Sequence, residues 1–131
     1  MADEATLSEE SGLNSIRFVV DPSINVSQGT LMFISGDHAV GKSSTAQPYA
    51  GVAAADHKAN EGEVEMAVHV PGRGNVFDMT NTGVTILGEL VRLSGTNLVG
   101  GVKKNLQIST GQIVGIALEG GSDSEIIRVL T

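Results

Sequence analysis

The sequence predicts an all-β protein built as a small barrel or sandwich, and three observations support this fold class. Turn-forming residues recur about every 8–12 positions between short apolar runs, which is the spacing of small antiparallel β domains. The chain of 131 residues has 17 glycines, no cysteine or tryptophan and only four aromatic residues, so its core consists of small aliphatic side chains. Part of the sequence also occurs twice.

The internal repeat aligns residues 29–41 with residues 88–100 without a gap. A second stretch, residues 50–54, resembles residues 114–118, and each copy then continues into an alternating strand. Two units of roughly 40 residues predict a duplication within one domain, because a solenoid needs at least three repeats. The identical positions in the first copy are Gly29, Leu31, Ser35, Gly36, Val40 and Gly41.

Residues 36–43, from Gly36 to Ser43, match the phosphate-binding pattern Gly-x4-Gly-Lys-Ser and follow an apolar run, which alone predicts a nucleotide hydrolase. The second copy, residues 94–101, lacks the lysine and has the composition of a turn between strands. A working phosphate-binding loop continues into a helix whose N-terminal N–H groups hold the phosphates, and Pro48 would break that helix. We therefore predict a strand-to-strand turn with Lys42 solvated. Nucleotide binding through Lys42 and Ser43 is the first alternative.

The remaining elements follow from apolar alternation and turn residues. Residues 43–55 are rich in alanine but contain Pro48 and Gly51, so they predict a loop. Val64, Met66 and Val68 alternate with polar residues, which predicts one buried and one exposed face. The predicted strands are residues 16–20, 31–34, 63–68, 76–79, 84–87, 89–93, 106–109, 113–118 and 126–130.

Residues 1–27 are predicted to form an extended N-terminal arm before a single β domain of residues 28–131. The arm carries five acidic residues against one basic residue, Arg17, and only residues 16–20 resemble a strand. Such a segment can become ordered against a partner, and the alternative is a frayed tail without a role. A small, aromatic-poor domain also often gains stability by self-association.

Charge and composition restrict the classes of partner and chemistry. The formal net charge of −7 is unfavourable for a surface that binds nucleic acid or anionic membrane. No apolar stretch approaches the roughly 20 residues of a membrane-spanning helix. The lack of cysteine excludes disulfides and thiol catalysis. The acidic N-terminus lacks the features of a signal peptide, so synthesis in the cytosol is expected.

No catalytic, cofactor or metal site is predicted, so we expect a protein that is not an enzyme. His38, His57 and His69 have no spacing that would bring them to one ion, and we expect them to be solvated surface residues. By alternation, His69 falls on the exposed face of its strand. Glu63 and Glu65 share a wet strand face, where they serve solubility and edge protection better than acid–base chemistry.

Several segments resemble the decoration (cement) proteins of tailed-phage capsids. They are residues 29–33, the turn at Gly36 and Asp37, and residues 48–53, 88–93 and 113–119, so the resemblance covers residues 29–131. It implies a β-barrel or β-tulip-like domain. It also implies a homotrimer that binds the outer surface of the assembled icosahedral shell and stabilises it, made in the host cytoplasm and located in the virion.

The partners implied by this resemblance are the major capsid protein and further copies of the chain. The N-terminal arm would lie along the capsid, and residues 16–20 would add a strand to a capsid-protein sheet. The predicted capsid-contact residues are Leu13, Ile16, Phe18 and Val20. A third possibility is a cellular β-barrel module for a small ligand, although the low aromatic content is unfavourable for carbohydrate binding.

Overall fold

The computed structural model describes residues 5–9, 15–44, 47–72, 74–102 and 113–131. Within these residues the chain forms strands and no helix, which confirms the all-β prediction. This part of the chain accordingly has no helix with the length and apolar character needed to cross a membrane. The strands are β1 (Thr6–Glu9), β2 (Ser15–Val20), β3 (Leu31–Gly36), β4 (Ala39–Lys42), β5 (Tyr49–Ala53), β6 (Glu65–His69), β7 (Val76–Asn81), β8 (Leu90–Gly95), β9 (Leu98–Gly101), β10 (Ile113–Ala117) and β11 (Ile126–Leu130).

Two five-stranded barrels follow each other along the chain. Strands β2 to β6 close into barrel 1 in the order β2-β4-β3-β5-β6. All neighbours are antiparallel except β2 and β4, which are parallel. Strands β7 to β11 repeat this arrangement as barrel 2, in which a parallel pairing of β7 with β9 closes the circuit. Strand β1 is an addition to β7.

The predicted duplication is therefore confirmed, and it covers a whole barrel. In barrel 1, Ser15 faces His69 across β2 and β6, and in barrel 2, Val76 faces Leu130 across β7 and β11. The units span residues 15–69 and 76–130, which is longer than the roughly 40 residues visible as a repeat in the sequence. Most of the identical positions lie in β3 and β4, whereas the two turn residues between these strands, Asp37 and His38, are replaced by Thr96 and Asn97 in the second copy.

Two hydrophobic clusters hold the fold together. The first fills barrel 1 with Val20, Val26, Met32, Val40, Ala50, Ala53, Met66 and Val68. The second fills barrel 2 with Phe77, Met79, Val91, Leu93, Val99, Val114, Ala117, Ile127 and Val129, together with Ala5. This second cluster also includes three residues from the outside of barrel 1, namely Leu31, Tyr49 and Val52. The outside of barrel 1 therefore packs against barrel 2.

Strand β5 corrects the prediction of a loop over residues 43–55. All five of its residues are buried, because one face points into barrel 1 and the other packs against barrel 2. A strand buried on both faces is a continuous apolar run without alternation, so the period of two that identifies half-buried strands is missing. Gly51 belongs to the strand because the neighbouring backbone of β6 approaches it too closely for a side chain.

The predicted strand over residues 84–87 is also wrong. Only Thr85 makes a bridge, with Gly121, and the Ile86 N–H donates to Glu89 Oε1 in a turn. Val84 and Ile86 are exposed, so the apolar run does not mark a buried segment here. The predicted strand over residues 106–109 lies outside the described residues.

The described residues 15–27 belong to barrel 1, which corrects the predicted N-terminal arm. Strand β2 is hydrogen-bonded to β6 on one edge and to β4 on the other. Val26 then bridges His57 within the same unit. Since both edges of β2 are occupied, residues 16–20 have no free edge with which to add a strand to another sheet. Residues 1–4 and 10–14 of the predicted arm lie outside the described residues.

Replacing Gly51 by alanine tests the close approach of β5 to β6. Its φ of +147° disfavours an L side chain, and a Cβ would overlap the His69 carbonyl oxygen and lie 2.7 Å from Val68 Cγ1. We expect Gly51→Ala to lower the free energy of unfolding by roughly 2–4 kcal/mol, measured by chemical denaturation. Gly36→Ala is the control, because its methyl group would contact only Ala39 Cβ, at 3.9 Å. Equal losses in the two variants would contradict this explanation.

Alkaline titration of Tyr49, the only tyrosine, tests the packing between the barrels. Burial raises the pKa of its phenol above the ordinary value. The unfolded chain ionises this phenol from a pH of about 10, so the stability that Tyr49 contributes is complete below that pH and falls above it. We expect phenolate absorbance to appear together with unfolding. Tyr49→Phe should remove this alkaline contribution, whereas phenolate formation in the folded protein at ordinary pKa would contradict the prediction.

Candidate interaction surfaces

Residues 36–43 form a β-hairpin, as the sequence analysis predicted. The chain leaves β3 at Gly36, turns through Asp37 and His38, and returns as β4. His38 has a φ of 53° and Asn97, at the equivalent turn of barrel 2, has a φ of 58°, so both copies use one left-handed residue. Lys42 is the exposed last residue of β4 and not the tip of the hairpin. Because β4 runs on without a helix, no helix N-terminus is available to hold phosphate here.

Two residues of the phosphate-loop pattern have packing roles. A Cβ on Gly41 would lie 2.7 Å from Phe33 Cε1, so the glycine makes room for that ring. Ser43 is buried and links the barrels: its Oγ donates to the Gly95 carbonyl at 3.2 Å and accepts from the Asn97 N–H at 3.3 Å. The serine that would bind magnesium in a nucleotide hydrolase is used here to fix one barrel on the other.

The three histidines occupy three different environments, and the expectation of solvated histidines holds for one. His38 is exposed, stacks on Phe18, and donates from Nε2 to the Arg17 carbonyl at 2.8 Å. His69 is half-buried, and its ring contacts Phe77 of barrel 2 with ring centroids 5.9 Å apart. The prediction that His69 lies on an exposed strand face was therefore wrong, because barrel 2 covers this part of the outside of barrel 1.

His57 is buried and fastens a loop of barrel 1. Its Nδ1 lies 2.9 Å from the Ile24 carbonyl oxygen, and its Nε2 lies 2.9 Å from that of Glu63. In barrel 2 the Asn81 amide makes similar contacts, donating to the carbonyls of Gly83, Gly121 and Ser122. Both side chains satisfy buried backbone carbonyls, which is a structural role. No group of three or more potential metal ligands occurs among the described residues.

An apolar cleft of about 600 Å³ runs along β2 and β4 on the outside of barrel 1. Val19 on its wall is 45% exposed, and Ile24 and Pro22 continue the apolar surface. Asp21 and Lys42 stand at its polar rim, and two serine hydrogen-bond donors, the Ser23 N–H and Oγ, hold the pKa of Asp21 below its ordinary value. A cleft with these properties suits an apolar segment of another chain.

The structure separates the four predicted capsid-contact residues. Leu13 lies outside the described residues. Val20 is 1% exposed in the core of barrel 1, so its side chain is not available to a partner. Ile16 is 39% exposed and Phe18 is half-buried, and both lie on the face of β2 that points into the barrel.

A group of exposed apolar side chains on barrel 2 was missed by the sequence analysis. Residues in the predicted strand over 84–87 were expected to alternate between inside and outside, yet the turn exposes most of them. The only signal was the largely apolar run between Gly83 and Gly88, which Thr85 interrupts. The exposed residues are Val84, Ile86, Leu87, Ile116, Leu118 and Ile126.

The described residues thus define a tandem of two five-stranded barrels with an apolar cleft and a set of exposed apolar side chains. No protein-family model matches the chain, and no curated protein matches its sequence. The fold is similar to the crystal structure of the head fiber gp8.5 N base in bacteriophage phi29, with a TM-score of 0.56 and 12% sequence identity. The similarity covers 89% of this chain and 92% of that chain, and at this identity it shows a shared fold.

Replacing Ser43 tests its role as the polar link between the barrels. Ser43→Ala removes the buried hydroxyl that bonds both the Gly95 carbonyl and the Asn97 N–H, so we expect the free energy of unfolding to fall by about 1–3 kcal/mol in chemical denaturation. The neighbouring Ser44→Ala, at an exposed position, should change it by less than about 0.5 kcal/mol. A Ser43→Ala variant as stable as the original chain would contradict the assignment.

Proposed function

We propose that the protein is a non-enzymatic structural component of a phage head, which binds the outside of the assembled capsid and stabilises it. The observation that carries the proposal is the fold similarity, over 89% of the chain, to a protein described as a head fiber base of a bacteriophage. The segments that resemble capsid decoration proteins lead to the same class of protein from the sequence. The proposed location is the capsid surface of the virion.

The proposed capsid contact is the cleft along β2 and β4. It adjoins the strand that carries the predicted contact residues, and Val19 at its wall points outward from β2. An apolar segment of the major capsid protein can bury Val19 and Ile24 there, while Asp21 and Lys42 at the rim provide polar contacts. Since the edges of β2 are already paired, side chains and not an added strand would provide the contact.

A homotrimer is the proposed form of the protein. An icosahedral shell offers many identical sites, and a trimer engages several capsid subunits at once. Avidity then rises by roughly 10²–10⁴ where the geometry allows simultaneous contact. Binding to the assembled shell but not to its dissociated subunits stabilises the shell by mass action, without any chemical step.

Co-sedimentation tests this function directly. The purified protein is mixed with emptied shells built from the major capsid protein of the same genome, and the pellet is assayed for bound protein. We expect saturable binding with a fixed ratio to capsid subunits and a higher temperature of shell disruption. The proposal would be refuted if the protein stayed in the supernatant at all shell concentrations.

The contact surface is tested with matched variants in the same assay. Val19→Asp places a charge in the apolar cleft, so we expect binding to shells to weaken by roughly tenfold or more. Val64→Asp is the control, because Val64 is similarly exposed but does not line the cleft. Equal binding by the two variants would show that the capsid contact lies on another surface.

A further inference from the structure

We propose that copies of this chain associate head to tail, with the open end of barrel 1 of one copy packed against the exposed outer face of barrel 2 of the next. The open end of barrel 1 is defined by Ile16, Phe18 and Ile34. The exposed face of barrel 2 is defined by the exposed Ile116 and by Leu90 and Ile113, which are half-buried. The trimeric copy number rests on the proposed function, whereas the contact itself rests on the duplication.

The template for this contact is the interface between the two barrels of one chain. There, an outer face of barrel 1, made of Leu31, Tyr49 and Val52, joins the core cluster of barrel 2 that contains Phe77 and Leu93. Leu31 also receives support at the edge of this contact, because its N–H donates to Asn97 Oδ1 of the β8–β9 turn at 2.9 Å. The outside of one barrel thus covers the end of the other.

The covered end of barrel 2 has an uncovered counterpart in barrel 1. In barrel 2, Phe77 and Leu93 are 2% and 0% exposed beneath the outer face of barrel 1. The registers of the two barrels place Ile16 and Ile34 at the same positions in barrel 1, where they are 39% and 46% exposed. Two core-facing isoleucines are therefore partly in water, because nothing in the described chain covers this end.

The covering face of barrel 1 likewise has a free counterpart in barrel 2. Leu31 and Val52 face each other across β3 and β5 and are both fully buried by barrel 2. Their equivalents, Leu90 and Ile116, face each other across β8 and β10, and Ile116 is 41% exposed. Barrel 2 therefore presents the apolar face that barrel 1 uses to cover a barrel end.

A polar group on this free face also lacks a hydrogen-bond partner among the described residues. Arg92 stands at the position of Phe33 in barrel 1, and its buried Nε–H has no acceptor among the described residues. The β3–β4 turn beside the open end of barrel 1 carries the exposed carboxylate of Asp37. A second copy docked by its open end brings this carboxylate to the same side of the interface as Arg92, so the charges are complementary.

The two free surfaces differ from each other, so the contact is heterologous. Each copy offers one open end and one exposed face, and successive contacts close into a ring when the rotation between copies allows it. A ring of three copies contains six barrels, with barrel 1 and barrel 2 alternating around it. In this ring every open end of barrel 1 and every exposed face of barrel 2 is covered. None of the three open-end residues lines the cleft along β2 and β4, so the cleft stays available to the capsid.

The contact is tested by the mass of the full-length protein in solution, measured by analytical ultracentrifugation. Ile34→Lys should block the open end and Ile116→Lys the exposed face, each weakening association by roughly 30-fold or more because a charge replaces a central apolar contact. Val64→Lys is the control at an exposed position outside both surfaces and should keep the wild-type mass. Ile16→Lys and Leu90→Lys are second variants for the same two surfaces, and circular dichroism checks their folding. A monomeric wild type, or wild-type mass in all the blocked variants, overturns the proposal.

A mixture of the two blocked variants tests the head-to-tail order. Ile34→Lys retains an intact exposed face, and Ile116→Lys retains an intact open end, so an equal mixture should form a one-to-one heterodimer and stop there. A mixture that remains monomeric overturns the pairing of these two surfaces. Co-sedimentation separates this result from the proposed function, because association without shell binding refutes only the function, and shell binding by a monomeric wild type refutes only the contact.

Discussion

The structure depends on the apolar contact by which the outer face of barrel 1 covers the end of barrel 2. Each barrel alone has a core of small aliphatic side chains and about half of a short chain, which is marginal for independent stability. The contact makes β5 a shared wall, buried by barrel 1 on one side and by barrel 2 on the other. Ser43 and Asn97 add hydrogen bonds at its edge, and these directional contacts set the orientation that apolar packing alone leaves free.

The duplication explains why two apolar surfaces stay uncovered after this contact forms. Each copy of the duplicated barrel has a covering face and an open end. In the tandem, the face of barrel 1 covers the end of barrel 2, so the end of barrel 1 and the face of barrel 2 remain exposed. Divergence between the copies could have made the leftover surfaces polar. Instead, the end of barrel 1 keeps Ile34 and the face of barrel 2 keeps Ile116, each about two-fifths exposed. Retained apolar residues at both leftover positions are more informative than a single exposed patch, because the two positions are the halves of one known contact.

The sequence predicted those features that depend on local backbone conformation and missed those that depend on which surfaces meet. The hairpin at residues 36–43 followed from its second copy and from Pro48, which excludes a helix there. Strand β5 was missed because burial on both faces removes alternation. His69 was placed on a wet face because alternation separates two faces but does not reveal that a second barrel covers one of them. The residues 15–20 were assigned to an arm because their partner, β6, lies about 50 positions away, and long-range pairing leaves no local signal.

The phosphate-loop pattern illustrates why a motif needs its structural context. Two of its residues have packing roles, since Gly41 accommodates the Phe33 ring and Ser43 bridges the barrels, whereas Lys42 is the solvated end of a strand. Lys42 and Asp21 instead form the polar rim of the cleft along β2 and β4. Under the proposed function, this cleft would need only modest affinity for each capsid subunit, because a symmetric assembly multiplies weak contacts. A small aliphatic surface with a few charges at its rim is sufficient for that task, and it requires none of the buried, strained or strongly titrating groups on which catalysis depends.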